Sequence, residues 1–187
     1  MENAIRTDEK LVNGKMFKAF ISKEKIAEAV KQMADEINRD YEGKNPHFIV
    51  VLNGSFIFAA DLLREVTVVC NVSFIKLSSY AGTKTTGDIK VDLDLRKGMS
   101  DEHVIIVEDI IDTGNTLEFL MEKLTYHKAK SLAVAALLLK PDAYKKPYPI
   151  NYFGMEIENK FVVGYGLDYD QQGRNLASIY ELIDGQM

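Results

Sequence analysis

Two adjacent carboxylates, Glu108 and Asp109, stand a few residues ahead of a hydroxyl/glycine turn, Thr113-Gly114-Asn115-Thr116. Such a turn, feeding a helix, offers backbone N–H groups and the positive end of the helix dipole to an anion, and phosphate is its natural ligand. Neighbouring carboxylates repel phosphate, so Glu108 and Asp109 suit other partners. They can accept hydrogen bonds from a sugar diol, or hold Mg²⁺ directly or through water. A phosphate at the turn and a diol beside it suggest a ribose 5-phosphate. Read alone, Gly114 also fits a plain turn, and the acidic pair also fits a solvated strand end. Two other phosphate-binding patterns fail. The sequence has no GxxxxGK[ST], and Gly164-Tyr165-Gly166 lacks the third glycine of a dinucleotide fingerprint, because position 169 is Tyr.

These groups must be held by a strand before them and a helix after them. Val104 to Val107 is a short apolar run that reads as a buried strand ending in Glu108-Asp109. Leu117, Leu120, Met121 and Leu124 then recur at helical spacing. Upstream, Ser22 is placed to cap a helix whose apolar face is Ile26, Val30, Met33 and Ile37. His47 to Leu52 reads as a buried strand, and Asn53-Gly54-Ser55 as a turn into a helix with Ile57, Ala60 and Leu63 on one side. Residues Asn71 to Leu77 and Asp88 to Arg96 alternate polar and apolar, the second as a half-exposed strand in a β ribbon. The polar loop between them is a candidate lid. Leu132 to Leu139 and Phe161 to Val163 read as further buried strands. Alternating strands and helices predict an α/β fold with a mainly parallel twisted sheet flanked by helices, residues 1–187 forming one domain.

Bulk properties narrow the classes. The 187-residue chain has a net charge of -5, where a general nucleic-acid binder would carry a basic excess. Its single cysteine, Cys70, lies in an apolar stretch and reads as a small core residue rather than a reactive thiol. The polar N-terminus shows no signal-peptide pattern, and no apolar run approaches the ~20 residues a membrane helix needs. The expectation is a cytoplasmic protein without membrane or nucleic-acid partners. His47, His103 and His127 are too scattered for a metal site.

The stretch Val104 to Leu117, an apolar strand followed by Glu-Asp, two aliphatics and Asp-Thr-Gly-x-Thr, resembles the phosphoribosyl-pyrophosphate motif of type I phosphoribosyltransferases. Three more segments are similar to the hypoxanthine-guanine branch of that family. They are Leu137 to Lys140, the run from Lys160 to Tyr169, and Ser79-Tyr80 followed by Thr86 to Lys90. The resemblance spans roughly Phe48 to Leu176. It implies a small hood built from N- and C-terminal segments, a mobile loop, and Mg²⁺ as cofactor. It implies that Glu108 and Asp109 address the ribose hydroxyls and metal, and that Thr113, Gly114, Asn115 and Thr116 cradle the 5-phosphate. Asp112 would take a proton from the base or stabilise its charge. Lys140 would donate to the purine 6-oxo group, Phe161 would stack on the ring, and Val162 would offer backbone groups to its edge. Asp168 would serve base and metal, and Arg174 would pair with pyrophosphate. Leu52, Asn53 and Gly54 would form the pyrophosphate-binding turn, with a cis peptide at Leu52-Asn53. Ser79 and Tyr80 would close over the reaction.

The chain departs from that pattern in places. Asn53 and Asn115 stand where relatives carry lysine, Ser78 where some carry a basic residue, and Gly173 where an aromatic often precedes the arginine. The resemblance implies a homodimer or homotetramer acting on phosphoribosyl pyrophosphate and a 6-oxopurine. Two alternatives stay open: a regulatory protein of this fold that binds nucleic acid, and a transferase preferring xanthine.

Overall fold

The computed structural model describes residues 8–79, 89–91, 99–126 and 128–183. In chain order the elements begin with strands β1 (Glu9–Val12) and β2 (Lys15–Ile21), helix α1 (Lys23–Asp40), β3 (Pro46–Leu52), α2 (Phe56–Glu65) and β4 (Asn71–Ser79). They continue with β5 (Ile89–Val91), β6 (His103–Ile111), α3 (Asn115–Tyr126), β7 (Ser131–Leu139), β8 (Tyr152–Glu156), β9 (Val162–Val163) and β10 (Ile179–Leu182).

Six strands form one sheet in the order β5-β4-β3-β6-β7-β8. All its pairings are parallel except β4 with β5, which run antiparallel as the arms of the expected ribbon. Both faces are covered, so the central strands are apolar throughout rather than alternating. Phe48, Val50, Ile105 and Val107 face α1 and α2, while Ile49, Val104 and Ile106 face α3. Ser22 caps α1, its hydroxyl accepting from the Lys25 N–H at 3.3 Å, and Ile26, Val30, Met33 and Ile37 are buried as expected. Leu117, Leu120, Met121 and Leu124 anchor α3 in the same way. Each fully buried aliphatic of this kind contributes about 1.5–3 kcal/mol over leaving it in water.

Three local readings change. Helix α2 buries Phe58, Ala59 and Leu62, whereas Ala60 is exposed and Ile57 and Leu63 only flank the core. Its sequence, FIFAADLL, is apolar almost all round, so spacing alone does not set its rotation. Strand β6 does not stop at Glu108-Asp109: it pairs with β7 through Ile110↔Leu138 and Ile111↔Leu139. The acidic pair therefore lies inside the ladder, and Glu108 is buried. Residues Val162–Val163 do not join the parallel sheet. They form the edge of a separate four-stranded antiparallel sheet, β1-β2-β10-β9, which combines strands from both ends of the chain. Glu181 on β10 is its polar tie, with Lys18 at 3.1 Å and Lys160 at 2.7 Å.

Cys70 sits just before β4, partly buried at the margin of the core, where desolvation pushes its thiol up and away from the reactive thiolate. His47 bridges Glu102 at 2.6 Å and Ser73 at 2.8 Å, and His103 meets Ser131 at 2.7 Å. Both lie at the starts of parallel strands, away from the strand ends that carry Glu108 and Asp112. His127 lies outside the described residues.

Candidate active site

Strand β6 delivers Glu108 to Ile111, the chain turns at Asp112 to Gly114, and α3 begins at Asn115. This single strand-turn-helix surrounds a cavity of about 200 Å³ lined by residues 108 to 117. The Gly114 carbonyl accepts the first helical bond, from the Glu118 N–H at 2.9 Å. Gly114 has φ 78°, and the space a Cβ would need is filled by the Tyr144 ring, so only glycine fits the turn. Asn115 and Thr116, expected as loop residues, are the first residues of the helix. Their backbone N–H groups are thus among those a helix leaves without internal partners.

Asp112 and Lys140 meet at the ends of neighbouring strands, Lys140 Nζ donating to Asp112 Oδ2 at 2.7 Å. The Lys140 side chain is only 9% exposed and that of Asp112 46%, so the pair points from the core into an open cleft. The Lys140 N–H also bonds the Ile111 carbonyl at 2.9 Å, which fixes the lysine backbone to the end of β6.

The turn after β3 comes against the acidic pair. The Leu52-Asn53 peptide is cis. Ser55, fully buried, donates its hydroxyl to the Val51 carbonyl and closes the turn. A Cβ on Gly54 would collide with the Asp109 carboxylate, and one on Gly166 would collide with the Gly54 carbonyl. Gly54, Asp109 and Gly166 therefore form one close-packed junction. Arg174 joins it, donating to the Gly166 carbonyl at 2.8 Å and pairing with Asp168 at 2.8 Å. The second oxygen of Asp168 accepts from the Gln171 N–H at 2.8 Å.

Burial dominates the electrostatics. Desolvation, with Asp109 next to it, pushes Glu108 well above the usual carboxylate range. Asp109 is pushed up to about 6, first by desolvation and then by Asp168, against the pull of backbone N–H groups and Arg174. Two carboxylates held at that disadvantage suit a divalent cation. Mg²⁺ takes one or two carboxylates and completes its shell with water and substrate phosphate oxygens, so this donor set fits it.

Phe161 remains 46% exposed beside the small sheet, its ring 5.7 Å edge-to-face from Tyr169 and 6.3 Å from Phe17. An apolar ring kept rigid yet open to solvent is suited to stacking on a flat ligand. Val162 is buried beside it on edge strand β9. Ser79 ends β4; Tyr80 and residues 81–88 lie outside the described residues. Sequence reasoning missed Tyr165 and Asp61, whose 2.7 Å hydrogen bond ties the Gly164–Gly166 turn to α2. It also missed Tyr144 and Lys146, which pack over the Gly114 turn. Tyr144 and Lys146 come from the irregular segment after β7, which has no local pattern.

The strand-turn-helix, its acidic pair and the flanking glycine turn define a phosphoribosyl transferase domain, whose family model matches residues 18–170. The chain belongs to the hypoxanthine-guanine phosphoribosyltransferase family. It is 38% identical to the hypoxanthine-guanine phosphoribosyltransferase of Lactococcus lactis over 91% of this chain and 93% of that one. It is 41% identical to the hypoxanthine-guanine-xanthine phosphoribosyltransferase of Tritrichomonas foetus over 82% and 85%. A crystal structure of a Bacillus anthracis hypoxanthine-guanine phosphoribosyltransferase superposes with a TM-score of 0.82 at 42% identity, covering 89% of this chain and 98% of that one. Bifunctional TilS/HprT proteins of Listeria are 39% identical over 87% of this chain, which spans only 25% of their length.

Proposed function

We propose that the protein transfers the 5-phosphoribosyl group of phosphoribosyl pyrophosphate to N9 of hypoxanthine or guanine, releasing IMP or GMP and pyrophosphate. The observation that carries this reading is the Lys140–Asp112 pair, set at 2.7 Å at the open end of two parallel strands and sharing its loop with the phosphate cradle. A 6-oxopurine supplies what the pair needs: an oxo acceptor for the lysine and an acidic ring N–H for the carboxylate. Adenine offers an amino group where Lys140 requires an acceptor.

In this reading the N–H groups of Thr113 to Thr116 hold the 5-phosphate, and Glu108 and Asp109 face the ribose hydroxyls. Phe161 stacks on the purine and Val162 addresses its edge through backbone groups. Asn53, Gly54 and Arg174 receive the pyrophosphate, with Leu52 setting the turn. The C1–O bond breaks as the sugar takes on oxocarbenium character. Purine N9 attacks from the opposite face while Asp112 accepts or stabilises the proton at N7. Ser79 and Tyr80 exclude water, which would otherwise capture the sugar. Glu108, Asp109 and Asp168 are the residues that would hold Mg²⁺, together with substrate oxygens and water, since among the described residues no three such side chains form a metal cluster by themselves; the ion would supply charge neutralisation for the leaving pyrophosphate.

The reading also takes the chain as one catalytic unit, the small sheet acting as a hood, in a cytoplasmic homodimer or homotetramer. Among the described residues no helix is long and apolar enough to cross a membrane. Sedimentation as a stable monomer would contradict the oligomer. A xanthine-accepting variant of the same chemistry draws support from the Tritrichomonas foetus relative. A base panel decides. With phosphoribosyl pyrophosphate and Mg²⁺, nucleotide should form from hypoxanthine or guanine and not from adenine or uracil. Turnover with xanthine alone would move the specificity. Binding of phosphoribosyl pyrophosphate without turnover of any base would favour a regulatory, nucleic-acid-binding role.

A further inference from the structure

The phosphate cradle has no basic residue of its own, since Thr113, Gly114, Asn115 and Thr116 are all uncharged. Carboxylates crowd it. Glu108, Asp109 and Asp112 line the same cavity, and Glu118 sits in the first turn of α3. A carboxylate there favours the helix dipole, but it also opposes any dianion that binds at the same helix end. Two lysines answer this crowding. Lys140 pairs with Asp112. Lys146, from the irregular segment after β7, places Nζ 2.7 Å from Glu118 Oε2, with side chains 25% and 38% exposed. Its stem lies directly over the cradle: a Cβ on Gly114 would stand 3.0 Å from Lys146 Cγ.

We propose that Lys146 sets the affinity of the site for the ribose 5-phosphate by cancelling the charge of Glu118 at the mouth of the cradle. The inference rests on the ribose-phosphate reading above. Lys146 does not touch the reacting atoms and is an electrostatic positioning residue. A lone carboxylate one helical turn from a bound phosphate, in a partly screened setting, changes affinity by a factor of about five. A pair that merely straps the 140–150 segment to α3 predicts something different, because breaking it from either side would then loosen the cradle equally.

The opposite signs expected for the two partners provide the test. Lys146→Met keeps the stem that packs over Gly114, and Glu118→Gln keeps the shape of the acid. Calorimetric titration with GMP and with guanine, at low and high salt, would be run on wild type, both single variants and the double variant. K146M should bind GMP about fivefold more weakly at low salt, with a smaller loss at high salt and unchanged guanine binding. E118Q should bind GMP at least as tightly as wild type, and the double variant should return close to wild type. The KM for phosphoribosyl pyrophosphate should follow the GMP affinities. Weaker GMP binding by E118Q, a double variant as weak as K146M, or an equal loss for guanine would overturn the inference. Wild-type protein that makes no nucleotide from any 6-oxopurine would sink the transferase reading instead. Active wild type with an unaltered K146M would sink the Lys146 inference alone.

Discussion

In the six-stranded sheet, the site rides on one continuous stretch from Glu108 to Thr116, with Lys140 added from the adjacent strand. In the four-stranded sheet, Phe161 and Val162 depend on β10, and β10 depends on β2, from the opposite end of the chain. The first region holds charge in burial: Glu108 is enclosed and Lys140 nearly so. The second keeps an aromatic ring open to solvent and balances a buried Glu181 with two lysines. On the proposed reading, sugar-phosphate chemistry belongs to the locally encoded part, and base recognition is shared with a part assembled from afar.

The comparison breaks first at Asp112. Asp112→Asn keeps the hydrogen-bond geometry toward Lys140 but removes the proton acceptor, so kcat should fall by about 10²- to 10⁴-fold with little change in phosphoribosyl pyrophosphate affinity. Steady-state kinetics with hypoxanthine checks it; a variant retaining near-wild-type kcat would remove Asp112 from the chemistry. Phe161→Ala is a milder probe of the second region. Losing a stacking ring removes about 0.5–1.5 kcal/mol, or roughly a two- to twelvefold rise in purine KM. The KM for phosphoribosyl pyrophosphate should stay put, and an equal rise in both would deny the division of labour.

A third prediction concerns pH and the buried acidic pair. Asp109 has its carboxyl raised to about 6 in the fold from an ordinary 3.8. The folded state therefore holds a proton that the unfolded chain releases, and the associated stability is lost as pH rises through 6. Asp109→Asn removes that liability. Without added metal, its Tm should exceed that of wild type at pH 8, and the gap should narrow as pH falls from about 6 to about 4. A gap that widens on acidification would reverse the assigned cause.

Much of the first region was legible because its residues are contiguous and periodic. An apolar run, an acidic pair and a glycine turn announce a strand, a ligand and a helix. Even so, spacing placed the end of β6 too early, because the ladder with β7 carries the strand through the acidic residues. The second region was legible only in part. Phe161 and Val162 stood out through family likeness, yet their strand was assigned to no sheet, and it begins only at Val162. Nothing local in KMFKAFI or IYEL says that these segments pair with each other. Helix α2 was read one residue out of phase because its apolar residues run nearly all round. Lys146 and Tyr144 carry no pattern, and only the packing over Gly114 reveals them.

The interlaced small sheet also has a temporal consequence. A chain made from its N-terminus can complete β3, β6, α3 and β7, and with them the Gly114 turn, before β10 exists. Strand β9 then waits for β10, whose final residue is Leu182. On the proposed reading, the wall against which a base would stack is thus built after both the cradle and Lys140, which directly follows β7.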